Sequence, residues 1–198
     1  MLRVERFYAL GLTGGIASGK SLASKYLSDR YAIYDADQIV HDLYRTDMEL
    51  IDTIGRIFGP QVINNGQVDR NKLREIVFDD RRLLPDLNAI VHPVVGKFIL
   101  DGIQKHRDTK TRGIFVIPLL CENSWNSKLD GSLLISCSIE TQIQRLLKRD
   151  SYTRAQATRI IESQMSLEQK TKLCTWVIEN EGVPEALYNQ LQKWEGSL

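Results

Sequence analysis

Phe7-Tyr8-Ala9-Leu10-Gly11-Leu12-Thr13-Gly14-Gly15-Ile16-Ala17-Ser18-Gly19-Lys20-Ser21 is an apolar, strand-like run that opens into a glycine-rich loop. Gly14, Gly19, Lys20 and Ser21 fill the four fixed positions of G-x-x-x-x-G-K-[ST], the phosphate-binding loop of nucleotide-binding proteins. Leu22, Ala23, Tyr26 and Leu27 follow at helical spacing, so the context is strand, loop, helix. A polyphosphate is cradled by a ring of backbone N–H groups, which requires residues small enough for the chain to curl around the anion. Gly14, Gly15, Ala17, Ser18 and Gly19, with Ile16 among them, meet that requirement. A helix beginning near Lys20 adds unsatisfied N-terminal N–H groups and the positive end of its dipole. Lys20 would reach the β and γ phosphates, and Ser21 would offer its hydroxyl to Mg²⁺.

Further runs of buried-strand character occur at Ala32 to Tyr34, Gly113 to Leu120, Ser132 to Cys137 and Trp176 to Ile178, mostly separated by helical patterns. This alternation predicts an α/β fold, a doubly wound and roughly five-stranded parallel sheet that binds ligands at the C-terminal ends of its strands. About eighty residues lie between the second and third strands, far more than one crossover helix needs. Within them Leu73, Ile76, Val77, then Leu83, Leu84, Leu87, then Ile90, Val91, Val94, Val95, Phe98 and Ile99 read as amphipathic helices. Gly59-Pro60 and Asn64-Asn65-Gly66 mark turns. Such an insertion suits the docking of a second substrate, and equally a purely structural hairpin.

The 198 residues allow one substantial core with one small subdomain riding on it. Apolar and charged fractions of 42% and 26% are those of an ordinary globular chain, without repeats or low-complexity tracts. A formal net charge of +1 gives no electrostatic footprint for nucleic acid or a membrane surface. Met1-Leu2-Arg3-Val4-Glu5-Arg6 runs straight into the first strand without a leader-like apolar segment, and no stretch approaches the length of a membrane span. Cys121, Cys137 and Cys174 are an odd, widely spaced trio that fits reduced thiols, and His41, His92 and His106 lack metal-ligand spacing. The expectation is a cytoplasmic protein.

Tyr34-Asp35-Ala36-Asp37 stands at the end of the second strand, where alternation puts both carboxylates on one side, beside the phosphate loop of the first strand. One carboxylate would accept a proton from an attacking hydroxyl while the other orients Mg²⁺-bound water. Asp37 also suits the N-cap of a helix starting at Gln38-Ile39-Val40-His41. Residues 140–166 carry Arg145, Lys148, Arg149, Arg154 and Arg159, with Arg145 and Arg149 on one helix face. A basic helical hairpin there would close as a lid that brings cations over a transferring phosphoryl group. Asp150, Glu162 and Glu168 equally fit a solvated charged face.

Together these motifs make the chain resemble dephospho-coenzyme A kinase, a family of the P-loop kinase superfamily. The resemblance is carried by Gly11-Leu12-Thr13-Gly14-Gly15-Ile16-Ala17-Ser18-Gly19-Lys20-Ser21, Asp35-Ala36-Asp37, Phe58-Gly59, Asn65-Gly66 with Asp69-Arg70 and Leu73-Arg74, and His92-Pro93. It continues through Pro118-Leu119-Leu120-Cys121-Glu122, Arg145 with Arg149-Asp150, Arg159 with Gln164, and Asn180-Glu181-Gly182. The resemblance implies phosphorylation of the ribose 3′-hydroxyl of dephospho-coenzyme A, with ATP as donor and Mg²⁺. It implies one domain over residues 1–198 with three parts: a nucleotide-binding core, a helical coenzyme-binding insertion at about 38–92 and a lid at about 140–168.

By position, Asp37 resembles the general base, with Asp35 its nearest competitor, and both would touch the acceptor. Residues 14–22, through Leu22, would hold the nucleotide, Ser21 the metal, and Asn180 with Gly182 the adenine. Lys20, Arg145 and Arg149 resemble the family's catalytic cations, and Arg74, His92 and Pro93 its coenzyme contacts. His92-Pro93 also fits the rigid start of a helix. The resemblance implies a small-molecule substrate and no nucleic-acid, membrane or obligate protein partner. Ala17 stands where the family usually has glycine, which matters if the backbone there needs a positive φ. Leu22 replaces a frequent threonine, and Glu179 a common aspartate.

Overall fold

The computed structural model describes residues 7–150 and 152–198; the reading of Met1 to Arg6 falls outside them. In chain order the elements are β1 (Ala9–Gly14), α1 (Lys20–Leu27), β2 (Ala32–Asp35), α2 (Ala36–Thr46), α3 (Met48–Phe58), β3 (Ile63–Asn64), β4 (Gln67–Val68), α4 (Arg70–Asp79) and α5 (Leu84–Thr109). They continue with β5 (Gly113–Val116), β6 (Gly131–Ser136), α6 (Ile139–Asp150), α7 (Arg154–Glu162), α8 (Leu167–Leu173), β7 (Trp176–Glu179) and α9 (Pro184–Glu195). The chain divides into two compact units, one made of the residues up to Tyr34 with Ile103–Leu198, the other of Asp35–Gly102.

The first unit is organised by a five-stranded sheet of order β2-β5-β1-β6-β7. β1 pairs in parallel with β5 on one side and β6 on the other, and β6 pairs in parallel with β7. All six residues of β1 are buried, which is why it reads as an unbroken apolar run: a central parallel strand is covered on both faces. Leu10, Leu12, Ile114, Val116, Leu133 and Ile135 pack with Ala23 and Leu27 of α1 and with Leu187, Leu191 and Trp194 of α9. Trp176 and Trp194 meet edge to face at 5.8 Å, so both are packing residues. The α/β expectation holds, with two changes. β5 stands between β1 and β2, so those strands are not neighbours. β5 also ends at Val116, because the apolar residues beyond it turn at Pro118, whose carbonyl accepts a hydrogen bond from the Thr13 hydroxyl at 3.2 Å.

In the second unit α2, α3 and α4 begin at Asp35, Asp47 and Asp69, each of which caps its helix by accepting from backbone N–H groups in the first turn. Asp35, not Asp37, is therefore the cap of α2. Asn64-Asn65-Gly66 is more than a turn: Asn65 (φ 50°) and Gly66 (φ 73°) join β3 and β4 as an antiparallel hairpin, because paired positive φ values suit the twist of such a hairpin.

α5 continues unbroken for 26 residues with Pro93 inside it, so His92-Pro93 does not start a helix. It also overturns the expectation about span length: the helical stretch at residues 81–109 is long enough to cross a membrane, and its most apolar window has mean hydropathy 1.3. Its buried apolar side chains, Val91, Val95, Ile99 and Ile103, recur every fourth position, the stripe of a helix packed on one face.

Candidate active site

β1 delivers the chain at Gly14, and the turn that follows runs directly into α1. Gly19, the N-cap of α1, has φ 103°, and a Cβ built on it would stand 2.1 Å from Asn180 Nδ2. Only glycine fits there. Ala17 has φ 58°, so the departure noted in the sequence does fall on a left-handed backbone position. No side chain caps α1, which leaves its N-terminal N–H groups and dipole to an anion.

The outward face of the loop is held by side chains from three other segments. Gln142 Nε2 donates to Ile16 O at 2.7 Å, and Ile16 N–H donates to Gln164 Oε1 at 3.1 Å, so both polar groups of that residue are occupied. Arg145 Nη1 donates to Ala17 O and to Ser18 O, each at 3.2 Å, while its Nη2 donates to Asn180 O at 2.8 Å. Asn180 Nδ2 adds a second bond to Ser18 O at 2.8 Å. Lys20 Nζ reaches Gly14 O at 3.3 Å. With these carbonyls engaged by donors, the loop is fixed in a form whose remaining N–H groups can converge on a phosphate. Ile143, Leu146 and Ala157 of α6 and α7 form a small core on which Ile16 and Ala17 pack, so the helical hairpin is also a wall of the loop.

The loop after β7 is anchored in turn. Glu181 accepts from the Thr141 hydroxyl and the Ser138 N–H, and these bonds hold its carboxyl below the usual glutamate range. Asn180 is buried, whereas Gly182 is exposed with only Ala186 Cβ within contact range of a built Cβ. Arg145 and Arg149 share a helix and differ in surroundings. Whereas Arg145 is engaged with the loop, Arg149 is exposed and paired with neighbouring Asp150 at 2.7 Å.

In the second unit, Asp35 Oδ1 accepts from the N–H groups of Asp37 (2.9 Å) and Gln38 (3.3 Å), which commits it to the helix cap. Asp37 is exposed in the first turn of α2. A depression of about 960 Å³ is lined by α2, β4, α4 and the start of α5. Its cations are Arg70, Arg74 and Arg81, with His41 Nδ1 3.1 Å from Arg70 Nη1, and its apolar wall includes Leu73, Val77 and Phe78, the last 72% exposed. His92 and Pro93 are exposed on α5 and do not line it.

The sequence singled out Arg74 but not Arg70, Arg81 or Phe78 as lining residues, and gave Gln142 no role. Gln142 sits one helical turn before Arg145, the only signal that could have raised it.

A complete phosphate loop on the central strand of a parallel α/β sheet, in a chain that also carries a helical unit with a cationic depression, defines a P-loop kinase. The family model for dephospho-CoA kinase matches residues 8–185, and the chain belongs to that family. It is 39% identical over 190 residues to the dephospho-CoA kinase of Fusobacterium nucleatum, covering 93% of this chain and 95% of the relative. It is 39% identical over 193 residues to that of Carboxydothermus hydrogenoformans, covering 94% of each. A crystal structure of a Thermus thermophilus protein superposes with TM-score 0.76 at 32% identity over 98% of both chains. Shikimate kinase from Acinetobacter baumannii shares the fold alone, with TM-score 0.52 at 13% identity over 98% of this chain and 93% of that one.

Proposed function

We propose that this chain transfers the γ-phosphoryl group of ATP to the ribose 3′-hydroxyl of dephospho-coenzyme A, giving coenzyme A and ADP in the last step of coenzyme A biosynthesis. The observation that carries the reading is the phosphate loop, with Lys20 in place and its carbonyls held by Gln142, Arg145 and Asn180, in a chain of the dephospho-CoA kinase family.

Residues 14–22 bind the polyphosphate, Lys20 placing its charge at the β and γ phosphates. Asn180, whose own carbonyl is held by Arg145, and Gly182 border the adenine. Asp37 accepts the proton of the 3′-hydroxyl as that oxygen bonds to the γ phosphorus and the bond to the β–γ bridging oxygen breaks. Asp35 is the weaker candidate for base, because its carboxylate already caps α2. Mg²⁺, when bound, neutralises charge on the β and γ phosphates. Ser21, exposed in the first turn of α1, offers the hydroxyl oxygen that a hard cation takes.

The acceptor occupies the insertion, about residues 38–92. Arg70, Arg74 and Arg81 suit its diphosphate, and Leu73, Val77 and Phe78 its pantetheine arm, with His92 and Pro93 further contacts along α5. Residues 140–168 act as the lid. Arg149, held by an exposed ion pair that costs little to break, swings over the transferring group. The place of action is the cytoplasm, with a small-molecule substrate and no nucleic-acid, membrane or obligate protein partner; the net charge of +1 supports only the lack of an electrostatic footprint for nucleic acid or a membrane surface.

Purified protein given Mg-ATP with and without dephospho-coenzyme A tests the proposal. ADP release that depends on the acceptor, with the acceptor heavier by one phosphate at the 3′ position, is the expected result. ADP release with dephospho-coenzyme A left unmodified would overturn it.

A further inference from the structure

Two of the three cysteines meet at a place to which the proposed reaction assigns no step. Cys121 lies in the turn after β5, and Cys174 is the C-cap of α8, two residues before β7. Their sulfur atoms are 3.7 Å apart, in van der Waals contact. Cys121 is 5% exposed, while Cys174 as a residue is half-buried.

The groups around the pair distinguish its two members. Lys170, one turn before Cys174, is fully buried, and its ammonium lies 2.9 Å from Glu122 Oε1, which also accepts from Met165 N–H at 3.2 Å. The thiol–thiol hydrogen bond lowers Cys174 below the ordinary thiol range, helped by the Ser132 hydroxyl and the Lys170 charge against burial and Glu122. The same hydrogen bond, with burial, pushes Cys121 up. Two thiols in contact beside a buried ammonium are the arrangement in which one sulfur can act as nucleophile and the other can resolve it. A disulfide needs the sulfurs to close to about 2.05 Å, and both cysteines stand outside the strands of the sheet, Cys121 in a turn and Cys174 at a helix end.

We propose that Cys121 and Cys174 are a reversible redox site, a dithiol that closes to an intramolecular disulfide on reaction with hydrogen peroxide. The Cys174 thiolate attacks one peroxide oxygen, the O–O bond breaks, and hydroxide leaves, so that Cys174 becomes a sulfenic acid. Cys121 sulfur then attacks Cys174 sulfur, and the S–O bond breaks. The oxygen leaves as water with the Cys121 proton. The two sulfurs give up two electrons, and peroxide is reduced to two waters once the hydroxide is protonated. Cys137, buried and pushed up to about 11, is an internal control that stays a thiol.

The experiment does not depend on the kinase assignment. Protein freed of reductant is treated with stoichiometric hydrogen peroxide near neutral pH, denatured in iodoacetamide and examined by intact mass and peptide mapping. Expected are one alkylated cysteine instead of three, and a Cys121–Cys174 linked peptide that dithiothreitol releases. Cys121→Ser should leave a sulfenic acid at Cys174 that dimedone traps, whereas Cys174→Ser should leave Cys121 fully alkylated. Three alkylations in the treated wild type, a bridge to Cys137 or between molecules, or equal oxidation of Cys121 in Cys174→Ser would overturn the proposal.

Discussion

In the phosphate loop the groups left for a ligand are backbone N–H groups, and side chains work from behind, with Gln142, Arg145 and Asn180 occupying carbonyls. In the depression of the insertion the arrangement is reversed. Helices α2, α4 and α5 satisfy their own backbone, so the polar groups on offer are side chains, among them Arg70, Arg74, Arg81 and His41. The two plans respond differently to substitution. A backbone site depends on every distant residue that fixes its shape, and a change behind the loop is felt at the ligand. A side-chain site loses one contact at a time.

The largest effect should come from a single reacting side chain. Asp37→Asn is expected to lower kcat by about 10² to 10⁴-fold, the usual contribution of a general base, with the KM for ATP nearly unchanged. Steady-state kinetics checks it, and an undiminished kcat would remove Asp37 from the role. Next comes a residue that touches no ligand. Gln142→Leu removes the donor of the half-buried Ile16 carbonyl, a loss of about 0.5–1.5 kcal/mol, the net worth of one hydrogen bond. The KM for ATP should rise several-fold, and the KM for the acceptor should stay put; unaltered ATP kinetics would show that the loop does not need its brace. The smallest effect concerns Ala17. Its left-handed backbone costs a residue with a Cβ about 1–2 kcal/mol, partly offset by the packing of its methyl group and the freedom glycine adds to the unfolded chain. Ala17→Gly should therefore raise Tm by about 1–2 °C, read by calorimetry, whereas a fall would mean that the methyl contact outweighs the strain.

The same contrast explains what the sequence disclosed. Backbone sites require small residues at fixed spacing, so Gly14, Gly19 and Lys20 were legible at once, as was the strand whose burial on both faces makes it continuously apolar. The residues behind the loop were not, because Gln142 on α6 looks like any polar helix residue until the fold turns it inward to 2% exposure. The depression was barely legible, since its arginines come from separate turns and elements. Two local misreadings have plain causes. Asp35 and Asp37 are both acceptable caps, and only the backbone at Asp35 (φ −90°, ψ 117°) decides between them. Pro93 resembles a helix start in sequence, yet the packing of Val91, Val95 and Ile99 carries α5 through it.

Donor and acceptor, on this account, are held by two different constructions, and measuring both KM values for Arg145→Ala and for Arg74→Ala tests that most directly. Arg145 makes three charged hydrogen bonds at the loop and the segment after β7, each worth about 1.5–3 kcal/mol, so its removal should raise the KM for ATP by tenfold or more and leave that for dephospho-coenzyme A near the parent value. Arg74→Ala should do the reverse. If both substitutions raise the same KM, or if Arg74→Ala weakens ATP and spares the acceptor, this division of labour is wrong.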